Sequence, residues 1–368
     1  MKYYLIAGEA SGDLHGSRLV RQLKAQDDQA EILAWGGDLM ADAGAMIRKH
    51  YRELAFMGFI EVIQNLRTIL NNIEYCKKDI AAIKPNALIL IDYPGFNLRI
   101  AAWAKAKGLN VYYYISPQLW AWKAGRVKII KKSVDRLFTI LPFENQWYEK
   151  YEVYPEYVGH PLLEIIKDFK PNPDVSDHLQ GKKILALLPG SRKQEITRML
   201  PIYLQSLASI PEYTAVIAVA PSQPIEIYQE IIDRFKSAKV ILIQNQTYSV
   251  LSMASLAWVS SGTATLETAL FGVPQVVCYT GNALSFQIAK RLVKVKYISL
   301  VNLILDLPLI PELIQQDFTA EKLIQTTLGL NHEYIRAQYD RLHHMLLPDN
   351  ASYRVAHSII TKLNQELV

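Results

Sequence analysis

The chain has 368 residues, half of them apolar and a fifth charged, with 40 basic against 35 acidic side chains and a formal charge of +5. A domain takes roughly 100–200 residues, so this length carries two domains with sizeable cores. The composition is that of an ordinary globular protein, and the small basic excess selects neither phosphates, anionic lipid nor RNA by itself.

The apolar start, Met1–Ala7, is too short for a secretory signal, because Glu9 and Asp13 follow at once. No stretch approaches the roughly 20 uncharged residues of a membrane span. Cys76 and Cys278 stand far apart without metal-ligand spacing. They read as free buried thiols, which points to a reducing compartment, the cytoplasm.

In chain order, Tyr3–Ala7 predicts a buried strand, residues 8–12 a loop, and Leu14, Leu19, Val20 and Leu23 a helix. Further strands are expected at Ile32–Trp35, Ala87–Ile91, Val111–Ile115 and Leu137–Ile140, with helices between them. One of these helices, around Ile100–Ala106, ends at Gly108, a good C-cap. The segment Lys167–Gly181, with Pro171, Pro173, Asp174, Ser176 and Asp177, reads as a linker. The pattern then restarts with strands at Ile184–Leu188, Ala215–Val219, Val240–Ile243, Leu256–Val259 and Gln275–Cys278. Tyr334–Leu367 reads as helical, broken at Pro348-Asp349-Asn350. Strands alternating with helices predict an α/β protein of two Rossmann-like, doubly wound domains facing a cleft. The expected domains are 1–166 and 182–345, with a terminal helix at 346–368.

Ligands of open parallel sheets sit beyond the carboxyl ends of the strands, and five loops there have unusual compositions. Gly8-Glu9-Ala10-Ser11-Gly12-Asp13 combines small residues with a helix N-terminus, where backbone N–H groups favour anions. Its glycines are not spaced as a dinucleotide fingerprint, and a tight turn capped by Ser11 or Asp13 reads it equally well. Asp92 directly follows a strand and precedes Tyr93-Pro94-Gly95-Phe96-Asn97. A carboxylate there is able to take a proton from an attacking hydroxyl, or simply to cap a helix. Ser116–Lys123 holds Gln118, Trp120 and Trp122 beside Arg126, Lys128, Lys131 and Lys132, which suits a sugar face, an acyl chain or a phosphate as well as a core.

In the second half, Gly190, Ser191 and Arg192 follow a strand, and the Arg192 fork suits a diphosphate. Ser261, Gly262, Thr263, Ala264 and Thr265 open a helix whose amides suit phosphate. Glu267, one turn in, is placed to accept ribose hydroxyls or to favour the helix dipole. No metal constellation, Walker A loop or nucleophile elbow is present. His160, beside Pro161, reads as packing or capping.

These loops, with AGEASGD (7–13), WGGDLM (35–40), MGFIEV (57–62), IDYPGFNL (91–98), YYISPQLWAW (113–122), LPFE (141–144), VGHPLL (158–163), LLPGSR (187–192), SGTATLE (261–267) and Asn302, resemble the lipid-A-disaccharide synthase family over nearly the whole chain. The resemblance implies a GT-B glycosyltransferase that needs neither metal nor cofactor. Its terminal helix packs back on the first domain, its donor is a UDP-diacylglucosamine and its acceptor a diacylglucosamine 1-phosphate. It implies inversion at the anomeric carbon, with Asp92 and Arg192 as catalytic residues. UDP would contact Gly190, Ser191, Arg192, Ser261, Gly262, Thr263, Ala264, Thr265 and Glu267. The acceptor and its lipid would contact Glu9, Ser11, Asp13, Asn97, Gln118, Trp120 and Asn302. Gly95 stands where many members carry an acidic residue, and His15 where an apolar one is common.

Acylated substrates imply peripheral contact with the cytoplasmic face of the inner membrane. Phe56, Met57, Phe59, Ile60, Leu66, Ile69 and Leu70, with Arg52, Arg67, Lys77 and Lys78, have the apolar-plus-basic composition of an interfacial anchor. An amphipathic core helix shows the same stripe. No nucleic-acid module is present, and a homodimer is left open. The rival readings are another GT-B UDP-sugar enzyme, such as an epimerase or a lipid-linked muropeptide transferase, and a non-catalytic nucleotide-sugar-binding module.

Overall fold

A computed structural model describes residues 1–54, 66–235, 238–281 and 295–367. The chain forms two compact units, Met1–Glu164 with Leu346–Val368, and Ile165–Met345. In the first, the order is β1 (Lys2–Ala7), α1 (Ala10–Gln26), β2 (Glu31–Gly36), α2 (Asp38–Asp42), β3 (Met46–His50), α3 (Leu66–Ile83), β4 (Ala87–Ile91), α4 (Pro94–Ala106), β5 (Val111–Tyr114), α5 (Val127–Ser133), β6 (Arg136–Thr139), α6 (Glu144–Glu149), β7 (Glu156–Tyr157) and α7 (Pro161–Lys167). The second unit adds α8 (Pro173–Leu179), β8 (Ile184–Leu188), α9 (Lys193–Ser206), β9 (Thr214–Val219), α10 (Glu226–Ile232), β10 (Val240–Gln244), α11 (Thr247–Met253), β11 (Ala254–Ser260), α12 (Thr263–Leu270), β12 (Gln275–Tyr279), α13 (Leu300–Leu305), β13 (Glu312–Ile314), α14 (Ala320–Leu328) and α15 (His332–Met345). The last helix, α16 (Ala351–Leu367), belongs to the first unit.

Both sheets are parallel, and both are wound the same way: β3-β2-β1-β4-β5-β6-β7 and β10-β9-β8-β11-β12-β13. Helices cover both faces, so the central strands are apolar at every position rather than alternating. Tyr3, Leu5 and Ala7 pack with Leu19 and Leu23 of α1 and with Val355 and Ile359 of α16, while Tyr4 and Ile6 face Ile73 and Ile80 of α3. In the second unit Leu185 and Leu187 meet α9, and Ile184, Ala186 and Leu188 meet α8 and α11.

Three strands carry too little apolar signal to stand out in the sequence. β3, β7 and β13 are two to five residues long and lie at or beside sheet edges, where polar residues such as Arg48 and Lys49 are tolerated. The segment 167–181 is not a bare linker. Asn172 accepts N–H bonds from Asp174 (2.9 Å) and Val175 (3.4 Å) and, with Pro173 at the first helical position, starts α8. Leu179 is buried against the second sheet. The turn residues that suggested a linker are the cap of a short helix.

The terminal helix is fastened by polar as well as apolar contacts. Glu164 accepts the Ser352 N–H and hydroxyl at 2.6 Å each, and Arg136 donates to Ser358 at 2.6 Å. His160, whose Nδ1 accepts the Leu162 N–H (3.2 Å), donates its own N–H to the Leu346 carbonyl (2.9 Å). Burial pushes the His160 imidazole down to about 3, so it stays neutral. Beside it, Gly159 has φ +86°, and a Cβ there would lie 1.9 Å from the Pro348 carbonyl oxygen. Gly159→Ala therefore meets both left-handed strain and a backbone clash. It is expected to cost about 3 kcal/mol or more, read as a lowered thermal midpoint. A melting curve unchanged within a degree would show that this backbone crossing is not as described.

Candidate active site

The winding order decides which loops become neighbours. In each sheet the chain reverses direction of travel between two adjacent central strands, β1 with β4 and β8 with β11. Helices leaving those strands go to opposite faces, and the crevice left at their carboxyl ends is where such sheets bind ligands. Ala7 pairs with Ile91, so the Gly8–Asp13 loop and Asp92 emerge side by side. Leu188 pairs with Val259, so residues 189–192 and 261–267 do the same in the second unit.

At the first crevice the backbone is strained. Asp92 and Tyr93 are consecutive non-glycine residues in the left-handed region, φ 45° and 50°. Such a conformation costs about 1–3 kcal/mol per residue and persists only where the surroundings over-determine it. Here the Asp92 carbonyl accepts bonds from the Asn97 amide (2.8 Å) and the Tyr113 hydroxyl (2.6 Å), and its N–H reaches the Tyr114 carbonyl (3.1 Å). The Tyr93 ring stacks on Phe96 and covers Gly8, where a Cβ would be 2.4 Å from it. With its backbone so held, the half-buried Asp92 carboxyl is pushed up to about 6, first by burial and then by the charge of Glu9.

Two carboxylates beside it have different work. Asp13 is buried, and its oxygens accept the N–H groups of Gly37 (2.7 Å), Leu39 (3.1 Å) and Met40 (3.1 Å). It caps α2 from another element, with three backbone N–H groups already on its two oxygens. Asn97 is fully buried, and its amide nitrogen donates to the Ile6, Ile91 and Asp92 carbonyls, while its amide oxygen has no partner among the described residues. Glu9 and Ser11 are exposed at the crevice. Gln118 is exposed, and Trp122 carries the Lys123 ammonium 4.0 Å above its ring.

Trp120 leads to a residue that loop composition did not single out. Its indole N–H donates to Glu144 (3.2 Å), and its ring stands edge-on to Phe143. Glu144 is buried, and its other oxygen accepts the N–H groups of Ile140 (3.1 Å) and Leu141 (3.0 Å). Burial raises its proton affinity to about 7, with the Asp92 charge adding to the effect. The available signal was a carboxylate in a strand–helix turn, within LPFE.

At the second crevice the Ser191 and Arg192 amides are already bonded to the Glu195 carboxylate, at 3.1 and 3.3 Å. Two amides of that turn are therefore already bonded within the chain. The Arg192 guanidinium is exposed, 3.5 Å from Glu195. Gly262 offers α12 no capping side chain, leaving its first turn to an outside acceptor. Thr263 is exposed and Ala264 half-buried, but Thr265 is fully buried with its hydroxyl on the Gly262 carbonyl (2.8 Å). Ser261 donates to the Ile298 carbonyl (3.1 Å). Glu267 accepts the Tyr248 hydroxyl at 2.7 Å.

Asn302 is buried, with its amide on the Ile310 carbonyl (2.8 Å) and Glu312 (2.9 Å) and its oxygen on the Ile310 N–H (3.0 Å). Its side chain holds the α13–β13 turn. Phe56, Met57, Phe59 and Ile60 lie outside the described residues. On α3, Ile69 packs on the core while Leu70 is exposed. Among the described residues no group of histidine, cysteine, aspartate and glutamate could hold a metal ion.

Comparison with known proteins gives one family. A model described as lipid-A-disaccharide synthetase matches residues 3–360. The lipid-A-disaccharide synthase of Coxiella burnetii (strain Dugway 5J108-111) is 36% identical, covering 96% of each chain. That of Geobacter metallireducens is 35% identical, covering 98% of this chain and 97% of its own. Among solved structures, the UDP-GlcNAc 2-epimerase of Neisseria meningitidis bound to UDP-GlcNAc superposes with a TM-score of 0.66 at 12% identity, covering 99% of this chain and 100% of that one. At that identity the likeness is one of fold.

The proton affinity of Asp92 makes a stability prediction. Its folded-state value, about 6, exceeds the 3.8 of a free carboxyl, so ionising it costs stability as the pH rises through that interval. The cost is absent below about pH 4 and complete above about 6, on the order of 3 kcal/mol at 1.36 kcal/mol per unit. Asparagine tolerates the left-handed backbone. Asp92→Asn should thus gain in thermal midpoint over the parent between pH 4 and pH 7.5; a difference independent of pH would show that Asp92 is not desolvated.

Proposed function

The chain belongs to the lipid-A-disaccharide synthase family and is a glycosyltransferase of lipid A biosynthesis, and from that membership we propose how its residues divide the reaction. The donor is a UDP-sugar and the acceptor a sugar phosphate. In full, UDP-2,3-diacylglucosamine and 2,3-diacylglucosamine 1-phosphate give the β-1,6 disaccharide 1-phosphate and UDP. The observation that carries the assignment is Asp92, a carboxylate held on strained backbone at the first crevice with its proton affinity raised to about 6.

Asp92 is the general base. A base works best with an affinity close to the operating pH, where it is ionised yet binds a proton usefully. As the acceptor hydroxyl attacks the anomeric carbon from the face opposite the diphosphate, its proton passes to Asp92. The bond to the diphosphate oxygen breaks with inversion. Charge developing on the departing UDP is met by Arg192 and by the uncapped amides opening α12. Arg192 must leave Glu195 to do so, which costs little, because an exposed ion pair is worth about 0–1 kcal/mol. Gly190, at φ +108°, makes room for the Glu195 carboxylate that braces this turn, and Glu267 receives the ribose. Glu9, Ser11, Gln118 and Trp120 are the side chains left to meet the acceptor.

Acyl chains place the work at the cytoplasmic face of the inner membrane. No helix among the described residues is long and apolar enough to cross a membrane, and the anchor is assigned to Phe56, Met57, Phe59 and Ile60 together with the exposed Leu70.

Asp92→Asn should lower turnover about 100- to 10,000-fold, with an acidic limb near pH 6 in the parent enzyme; retained turnover returns Asp92 to structure. Arg192→Ala, on an exposed side chain, should lose about 100- to 1000-fold in turnover without loss of folding, and near-normal UDP release would sink its role. Making Phe56, Met57 and Phe59 polar together should abolish sedimentation with anionic phospholipid vesicles, and unaltered binding would remove this segment as the anchor.

A further inference from the structure

Glu267 does not stand alone. Tyr248 lies in the first turn of α11, beyond the carboxyl end of β10, and its hydroxyl donates to Glu267 Oε1 at 2.7 Å. The Tyr248 ring is itself braced: Phe271 lies 5.2 Å away and Phe169 5.7 Å away, and these two meet edge-on at 5.5 Å. Two neighbouring rings thus brace one phenol against one carboxylate oxygen. Burial works against the ionised form of Glu267, and the phenol bond is what favours it.

We infer that Tyr248 is a positioning residue for the nucleotide: by holding Oε1 it keeps Glu267 extended and turns Oε2 toward the ribose diol of the bound UDP. The inference rests on the assignment of Glu267 to the ribose. An ionised carboxylate is acceptor-only, with two lone pairs on each oxygen. A donor fixed on Oε1 leaves Oε2 entirely available to a sugar hydroxyl, whereas a carboxyl that protonates becomes a donor at one oxygen and loses that geometry. The hydroxyl of Tyr248 therefore contributes to selection of a ribose over a 2′-deoxyribose without touching the sugar.

The test measures the affinity of the full chain for UDP and for 2′-deoxy-UDP by titration calorimetry, in the parent, Tyr248→Phe, Glu267→Gln and the double variant. Tyr248→Phe keeps the ring and its packing, and an unchanged melting temperature confirms this. The expected result is about 5- to 10-fold weaker UDP binding in Tyr248→Phe, 2′-deoxy-UDP binding unchanged within about twofold, and a double variant no weaker than Glu267→Gln. If Glu267→Gln loses the preference for UDP while Tyr248→Phe keeps it, the positioning role is overturned and the ribose assignment stands. Equal weakening of both nucleotides by Tyr248→Phe also overturns it, as a packing effect. If Glu267→Gln leaves the preference intact, the ribose assignment fails and the inference falls with it.

Discussion

Neighbouring parallel strands cannot be joined by a tight turn, so each connection crosses a face of the sheet, and the hand of that crossing is set by strand twist. With β1 and β8 started in mid-sheet and the chain wound first one way and then the other, one pair of adjacent strands in each unit must send its helices to opposite faces. All else here depends on those two pairings, β1 with β4 and β8 with β11. They bring Gly8–Asp13 beside Asp92, and Pro189–Arg192 beside Ser261–Glu267. The strands beneath are buried on both faces, which gives each crevice a rigid floor.

The first crevice shows how such a floor holds an unfavourable arrangement. Two successive left-handed residues and a desolvated carboxyl at Asp92 oppose folding. Against them stand the bonds from Asn97 and Tyr113, the strand pairing through Tyr114, and the Tyr93 ring seated over Gly8. Much of the polar cluster around Asp92 is support. Asp13 caps α2, and Glu144 fastens the Trp120 indole to the turn before α6. A family string therefore mixes residues that face a ligand with residues that hold them, and the backbone N–H groups they accept distinguish the two.

The second crevice makes the same point through its vacant and occupied donors. Glu195 already satisfies two amides of the turn after β8 and pairs with the exposed Arg192 guanidinium, whereas the start of α12 has no side-chain cap. The fold shared with a UDP-GlcNAc 2-epimerase at 12% identity is compatible with more than one chemistry on a UDP-sugar. Family membership comes from sequence spread over nearly the whole chain.

By itself the sequence determined the class of fold, the central strands and the family. Apolar runs such as Tyr3–Ala7 and Ile184–Leu188 depend only on local burial, and the loop strings are legible without coordinates. It also singled out Asp92 and Arg192, because a charged residue just past a buried strand is a local signal. What only the tertiary structure decided is which polar residues are already engaged. Asp13 with α2, Asn97 with three carbonyls, Asn302 with the turn before β13, Tyr248 with Glu267 and the cap that makes residues 173–179 a helix all rest on partners. Some of those partners are distant in the chain, as Gly37 is from Asp13, Ile6 from Asn97 and Glu267 from Tyr248. A side chain's capacity for hydrogen bonds is written in its chemistry, but whether a backbone group or a ligand fills it depends on what the fold places within 3 Å.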